Sequence, residues 1–255
     1  MLKLMKYEFR KNRMGLAVRV GIAAGLYVLA PLGRALDKGD LMIASVFTLF
    51  CYAFAAYIYA LVQGITAYSG ELRGRTGYLL MMVPRSTMSI LFGKLLFTLF
   101  FALVMLAISV LALGASGTLM LEEMYQVKGA LQLLRIMLSQ SGIDPAVFAR
   151  FALYVAVQIL TSVLTIVAMG YLAVTLSATV LQGGKLRGLV SFLFFAALTA
   201  LTGYLQNLVS PAVAALYADY GEVMRAALPV ILLDLALTCA FTALSAVLLK
   251  KKVSL

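Results

Sequence analysis

Leu189–Val209 reads LVSFLFFAALTALTGYLQNLV, a run with no charged side chain. A bilayer core takes about 20 mostly apolar residues of helix, so this stretch has the length and character of one membrane crossing. Five more windows qualify, at about Leu16 to Gly33, Leu41 to Tyr68, Ile90 to Ala115, Phe148 to Val180 and Leu228 to Leu249. Composition agrees: hydrophobic residues make up 64% of the 255 and charged ones 12%, against roughly 45–50% and 25% in soluble domains. A water-soluble fold of this size could not hide so much apolar surface. The expected fold class is an all-α polytopic membrane protein of six transmembrane helices, forming one domain over 1–255.

Basic residues set the expected orientation. With the N-terminus in the cytoplasm, the inner side collects Lys3, Lys6, Arg10, Lys11, Arg13 and Arg19, then Arg73, Arg75, Arg85 and Lys94, then Lys185 and Arg187, then Lys250, Lys251 and Lys252. These are 15 of the 21 basic residues. Acids run the other way, with Glu8 and Glu71 inside and Asp37, Asp40, Glu122, Glu123, Asp144, Asp219 and Glu222 outside. Both termini are expected in the cytoplasm. The net charge of +11 is thereby explained by topology and by contact with anionic lipid, and no nucleic-acid partner is expected. The basic opening followed by an apolar run has the order of a signal peptide, but five further spans follow it, so the first is read as a retained anchor. Cys51 and Cys239 fall inside spans, and no disulfide is expected.

Chemistry-bearing patterns are few. The absence of histidine excludes His-containing zinc sites and a Ser-His-Asp arrangement. Gly93-Lys94 and Gly184-Lys185 are each followed by leucine and lack the upstream glycine of a phosphate-binding loop, so no catalytic, metal or cofactor site is expected in this chain.

Two segments outside the spans carry more. The connection 69–89 is longer than the 2–8 residues usual between packed helices, and its Tyr78 to Val83 run is too short to span. The expected form is a short helix across the cytoplasmic ends of the spans, stopped near Val83 because Pro84 disfavours helical geometry in the residue before it. An apolar helical face flanked by Arg73, Arg75 and Arg85 suits a groove on a partner and equally suits the lipid headgroups. The outer segment 116–145 places Leu121, Met124, Val127, Leu131, Leu134 and Leu138 at spacings of three and four, with Glu122, Glu123, Lys128, Gln132 and Arg135 between them. That is the pattern of an amphipathic extracytoplasmic helix, which could lie on the outer leaflet, lid an exit path or pair across a dimer.

Glu71, Thr76 five residues on, Leu79-Leu80, Pro84 eight after the threonine, and Gly93-Lys94 opening the third span together resemble the permease subunits of the type 2 ABC exporter family. In that family glycine often precedes the threonine; here Arg75 does and Gly77 follows. The six-span layout and the basic amphipathic opening 1–14 are also similar, the latter resembling an interfacial helix that either anchors on the membrane or reaches an ATPase. The resemblance implies a coupling helix in 69–89, with Glu71, Arg73, Arg75, Thr76, Tyr78, Leu79, Leu80 and Pro84 docking on a separate P-loop ATPase. ATP and Mg would then be bound by that partner, and a working unit would hold two permease copies and two ATPases in a bacterial cytoplasmic membrane. The cargo expected is amphipathic or hydrophobic, with peptides and toxins favoured over drugs and lipid-linked molecules.

Polar residues within spans are expensive and invite a role. Arg19 lies near the inner end of the first span and can snorkel to headgroups. Asp234 lies deeper and is expected to face a polar pathway or to partner Gln206 or Asn207. Gln63 and Gln158 are further candidates for lining a pathway, with interhelical hydrogen bonding as the plainer alternative. Gly21 and Gly25 form a small-xxx-small pair for close helix packing, including a dimer seam. An intramembrane enzyme would have only Asp234 or a serine to work with, and a passive channel or immunity protein would act without an ATPase.

Overall fold

The computed structural model describes residues 2–73, 87–125, 132, 136, 144–180, 186–209 and 220–252. They form α1 (Leu2–Ala35), α2 (Gly39–Arg73), α3 (Thr87–Tyr125), α4 (Pro145–Val180), α5 (Arg187–Val209) and α6 (Tyr220–Lys252). Each contains a segment long and apolar enough to cross a membrane: Asn12–Ala35, Gly39–Gly70, Thr87–Glu122, Pro145–Val180, Arg187–Val209 and Leu228–Lys250. This is an all-helical multi-pass architecture, and the six segments coincide with the six sequence windows. Large apolar side chains such as Phe47, Phe192 and Leu232 lie exposed on helix faces, as lipid contact permits.

The helices are longer than a crossing needs. α3 has 39 residues, about 58 Å of helix against a hydrocarbon core of about 30 Å. It continues through Ser116, where the outer segment was expected to begin, because nothing from Ser116 to Tyr125 forces a break. Backbone groups near a membrane gain most from remaining in the helical ladder, and the Thr118 hydroxyl donates to Ala115 C=O at 3.0 Å. The rest of that outer segment lies outside the described residues, apart from Gln132 and Ile136, both helical. At the other end, the basic stretch read as an interfacial helix over 1–14 is not set off by a turn: α1 is unbroken from Leu2, since no glycine or proline interrupts Leu2 to Met14.

By compactness the chain divides into two units, one of 1–5, 61–99 and 151–255 and the other of 6–60 and 100–150. α1, α2, α3 and α4 each contribute to both.

In the second unit, α1 and α2 are joined by a tight turn. Lys38 N–H donates to Gly33 C=O at 2.9 Å and Asp37 N–H to Arg34 C=O at 3.3 Å, while Asp37 takes φ 54°. These are the paired bonds of a Schellman cap, in which a left-handed residue closes a helix; aspartate tolerates that conformation better than most side chains. Gly33 is required beside it, because a Cβ there would lie 2.9 Å from Met42 Cγ and 3.0 Å from the Met42 nitrogen. Arg34, in the last turn of α1, lies 3.4 Å from Glu122 of α3, an exposed pair worth little by itself. Gly21 and Gly25 are exposed on α1 with open space, among the described residues, where a Cβ would stand.

α4 is the buried element of the first unit. Val163, Val167, Ala168, Met169, Tyr171, Leu172, Ala173 and Val174 are all in the core, covering more than one helical face, as befits a helix surrounded by others. Gly170 admits Ile65 of α2 to within 2.5 Å of a would-be Cβ. Gly64 likewise admits Thr98 of α3, and a Cβ at Gly64 would collide with the threonine methyl and hydroxyl. Gly64→Ala is therefore expected to lower the thermal-unfolding midpoint in detergent by the equivalent of about 1–3 kcal/mol, the usual cost of overpacking. Thr98→Ala in the same chain should restore part of it by removing the two colliding atoms.

Candidate functional site

Asp234 is wholly buried in α6. Helix geometry aligns it with Thr238, Thr242 and Ser245 at steps of four and three, and all four are buried. Gln158 and Thr165 reach them from α4. Gln206 of α5 donates from Nε2 to Asp234 Oδ1 at 2.7 Å, and Gln158 donates from Nε2 to Oδ2 at 3.5 Å. Three helices thus converge on one carboxyl group.

Hydroxyls continue this polar seam. Thr165 Oγ1 lies 3.1 Å from Thr238 Oγ1 and 3.1 Å from the Asp234 carbonyl, and Thr238 donates to that same carbonyl at 2.8 Å. Thr242 and Ser245 return their hydroxyls to carbonyls of their own helix, at Thr238 and Phe241. Thr202, the buried residue of α5, donates to Met169 Sδ at 3.2 Å. Such bonding satisfies hydroxyls in a low-dielectric interior and leaves the carboxyl as the group that depends on neighbours.

A second cluster of the same unit stands near the α2–α3 connection. The Tyr68 and Tyr171 rings lie 4.5 Å apart between centroids. Tyr68 Oη is 2.9 Å from Thr175 Oγ1, and Thr98 Oγ1 is 3.5 Å from Tyr171 Oη. One turn before Thr98, Lys94 is buried and its carbonyl accepts the Thr98 hydroxyl at 3.0 Å. α2, α3 and α4 are thereby clamped beside the segment singled out by sequence.

In the other unit, Arg19 sits within the first span. Its guanidinium carbon lies 3.8 Å from the Tyr59 ring centroid and 5.2 Å from that of Phe101, and Nη1 is buried without a hydrogen-bond partner. Tyr52 Oη donates to the Arg19 carbonyl at 2.8 Å. The head leans toward Gly15, where a Cβ would stand 3.4 Å from Nη2. Arginine does lean toward the helix N-terminus as snorkelling requires, but it does so against two aromatic faces that the sequence reading did not foresee. Cation–π contact of this kind is worth about 2 kcal/mol when desolvated.

Of the residues singled out by sequence, Asp234, Gln158 and Gln206 come together. Asn207 is exposed, one residue from Gln206. Gln63 is half-buried on α2, one residue from Gly64 at the Thr98 contact. Glu71 and Arg73 belong to the last turn of α2; Arg75, Thr76, Tyr78, Leu79, Leu80 and Pro84 lie outside the described residues. The threonines of the Asp234 seam and the Tyr68–Tyr171 pair were not singled out, although the four-residue spacing of Asp234, Thr238 and Thr242 was visible.

Comparison with protein-family models, with curated proteins and with solved structures returns no match.

Because Gln206 makes the shorter bond to Asp234, Gln206→Leu is expected to cost more unfolding free energy in detergent than Gln158→Leu, about 1–2 kcal/mol for the former given the modest value of polar contacts in membranes. Combining Gln206→Leu with Asp234→Leu should cost less than the sum of the two single changes. Strict additivity would show that the two side chains act separately.

Proposed function

We propose that the chain is the transmembrane subunit of an ATP-driven exporter of the type 2 ABC kind, moving an amphipathic or hydrophobic cargo, with peptides and toxins favoured. The observation that carries this reading is the pattern Glu71, Thr76, Leu79-Leu80, Pro84 and Gly93-Lys94 in and after the connection between the second and third spans. Six candidate spans support it, as does the set of contacts holding α2, α3 and α4 together beside that connection.

In this reading, residues 69–89 hold a coupling helix seated in a cleft of a cytosolic P-loop ATPase, which binds ATP and Mg. Leu79 and Leu80 form its apolar plug. When two ATPase copies close on nucleotide, the two plugs of a permease homodimer move with them and bias the spans between inward-facing and outward-facing or occluded arrangements. The Tyr68, Tyr171 and Thr98 contacts then pass displacement of the α2 and α3 ends to α4. Positive residues gathered at the ends of alternate spans support cytoplasmic termini in a bacterial cytoplasmic membrane, and the polar seam around Asp234 is a candidate wall of the cargo pathway.

The test is affinity purification of the tagged chain from native membranes in mild detergent, with mass spectrometry of what accompanies it. A P-loop ATPase in near-equal amount is expected. Leu79→Asp with Leu80→Asp should reduce its recovery by more than tenfold, since two apolar anchors of about 1.5–3 kcal/mol each are lost, while leaving the permease inserted. Undiminished recovery in the double variant, or no ATPase under conditions that preserve other membrane complexes, would sink the assignment.

A further inference from the structure

An apolar groove of about 290 Å³ runs between α1 and α3, lined by Val20, Ala24 and Tyr27 on one side and Ile108, Ala112 and Ala115 on the other. The alanines make it: larger side chains at those positions would fill it. From Val20 to Tyr27 it extends about 10 Å along the helix, so it is long and narrow, suited to a hydrocarbon chain rather than to a helix about 10–12 Å across.

The Arg19 guanidinium lies toward the N-terminal end of this groove. Arg19 is seven residues into the first span, which begins at Asn12, and its head leans back to the level of Gly15. That places the positive charge about 5 Å from the end of the span, at the depth where acyl chains meet phosphates. Tyr59 and Phe101 cover part of the guanidinium, whereas Gly15 has no side chain to cover the edge at Nη2. Among the described residues no acidic side chain is within salt-bridge distance of it. A permanent cation at headgroup depth, followed along the same helix by a groove of chain width, matches the order of an anionic head and its tail. A second copy of this chain is a poor occupant, because its acids on that side are Glu8 and Glu71 alone in the charge arrangement given above.

We infer that Arg19 and the α1–α3 groove form a site for one anionic phospholipid of the leaflet that the N-terminal end of α1 enters. The lipid phosphate takes the open edge of the guanidinium and one acyl chain fills the groove. Zwitterionic lipid fits the groove equally but brings a compensating cation to Arg19, so selectivity comes from charge and retention from the groove. The site is independent of the transport reading.

The experiment is native mass spectrometry of the full chain released from nanodiscs containing equal parts phosphatidylglycerol and phosphatidylcholine. The wild-type chain should retain phosphatidylglycerol over phosphatidylcholine by about tenfold, the scale of one charge-assisted hydrogen bond. Arg19→Met should bring that ratio to near one, while Arg19→Lys keeps much of it. Ala24→Phe with Ala112→Phe, which leaves Arg19 in place, should reduce retained lipid of both kinds, and it keeps the test open if Arg19→Met fails to fold. A wild-type ratio near one, an unchanged ratio in Arg19→Met, or undiminished lipid in the groove-filled variant would each overturn the inference.

Discussion

A polar group inside hydrocarbon has no water to turn to, and its partners must come from the protein. Many of the hydroxyls here meet that demand locally, by bonding a carbonyl three or four residues back in the same helix, as Thr66, Ser177, Thr179, Thr242 and Ser245 do. A side chain satisfied in this way is indifferent to which helix lies opposite. Asp234 cannot be satisfied in this way by its own helix, and it therefore constrains its neighbours. Gln158 on α4 and Gln206 on α5 must stand at fixed heights and rotations for both carboxyl oxygens to be met. Apolar packing tolerates many registers, and a single buried carboxyl selects among them.

Arg19 is a second group whose surroundings come from neighbouring helices. Its charge is held between aromatic faces, with no acid among the described residues within salt-bridge distance, an arrangement that stabilises a cation without neutralising it. Such a group fixes α1 against α2 and α3 and still presents its charge to whatever adjoins it.

Much of the architecture was legible in the chain, because each crossing requires a long apolar run and the runs are separated by charged or glycine-containing connections. The ends were less legible: no proline in Ser116 to Tyr125 stops α3 at the end of its apolar run, and no glycine or proline in Leu2 to Met14 sets the basic opening apart from the first span. Asp234 could be matched from sequence to the carboxamides of Gln206 and Asn207, because an intramembrane carboxyl demands a donor; which of the two serves depends on the rotation of α5. The Tyr68–Tyr171 contact could not, since it joins residues 107 and 73 positions from their hydroxyl partners Thr175 and Thr98 and depends on helix rotation, which periodicity does not specify. Gly64 and Gly170 resembled Gly21 and Gly25 in the sequence, but only the former pair meets side chains of neighbouring helices. A small residue marks permission for close approach, and the neighbour decides whether it is used.

The turn between α1 and α2 has a mechanical consequence. Only Leu36, Asp37 and Lys38 separate the two helices, and the cap bonds at Asp37 and Lys38 leave no slack in the tether. With Gly33 pressed against Met42, the pair has no local hinge, so a torque applied to α1 is delivered to α2 within the same turn. The hairpin behaves as a two-pronged lever, stiff at its tip and able to splay only at the far ends of its prongs.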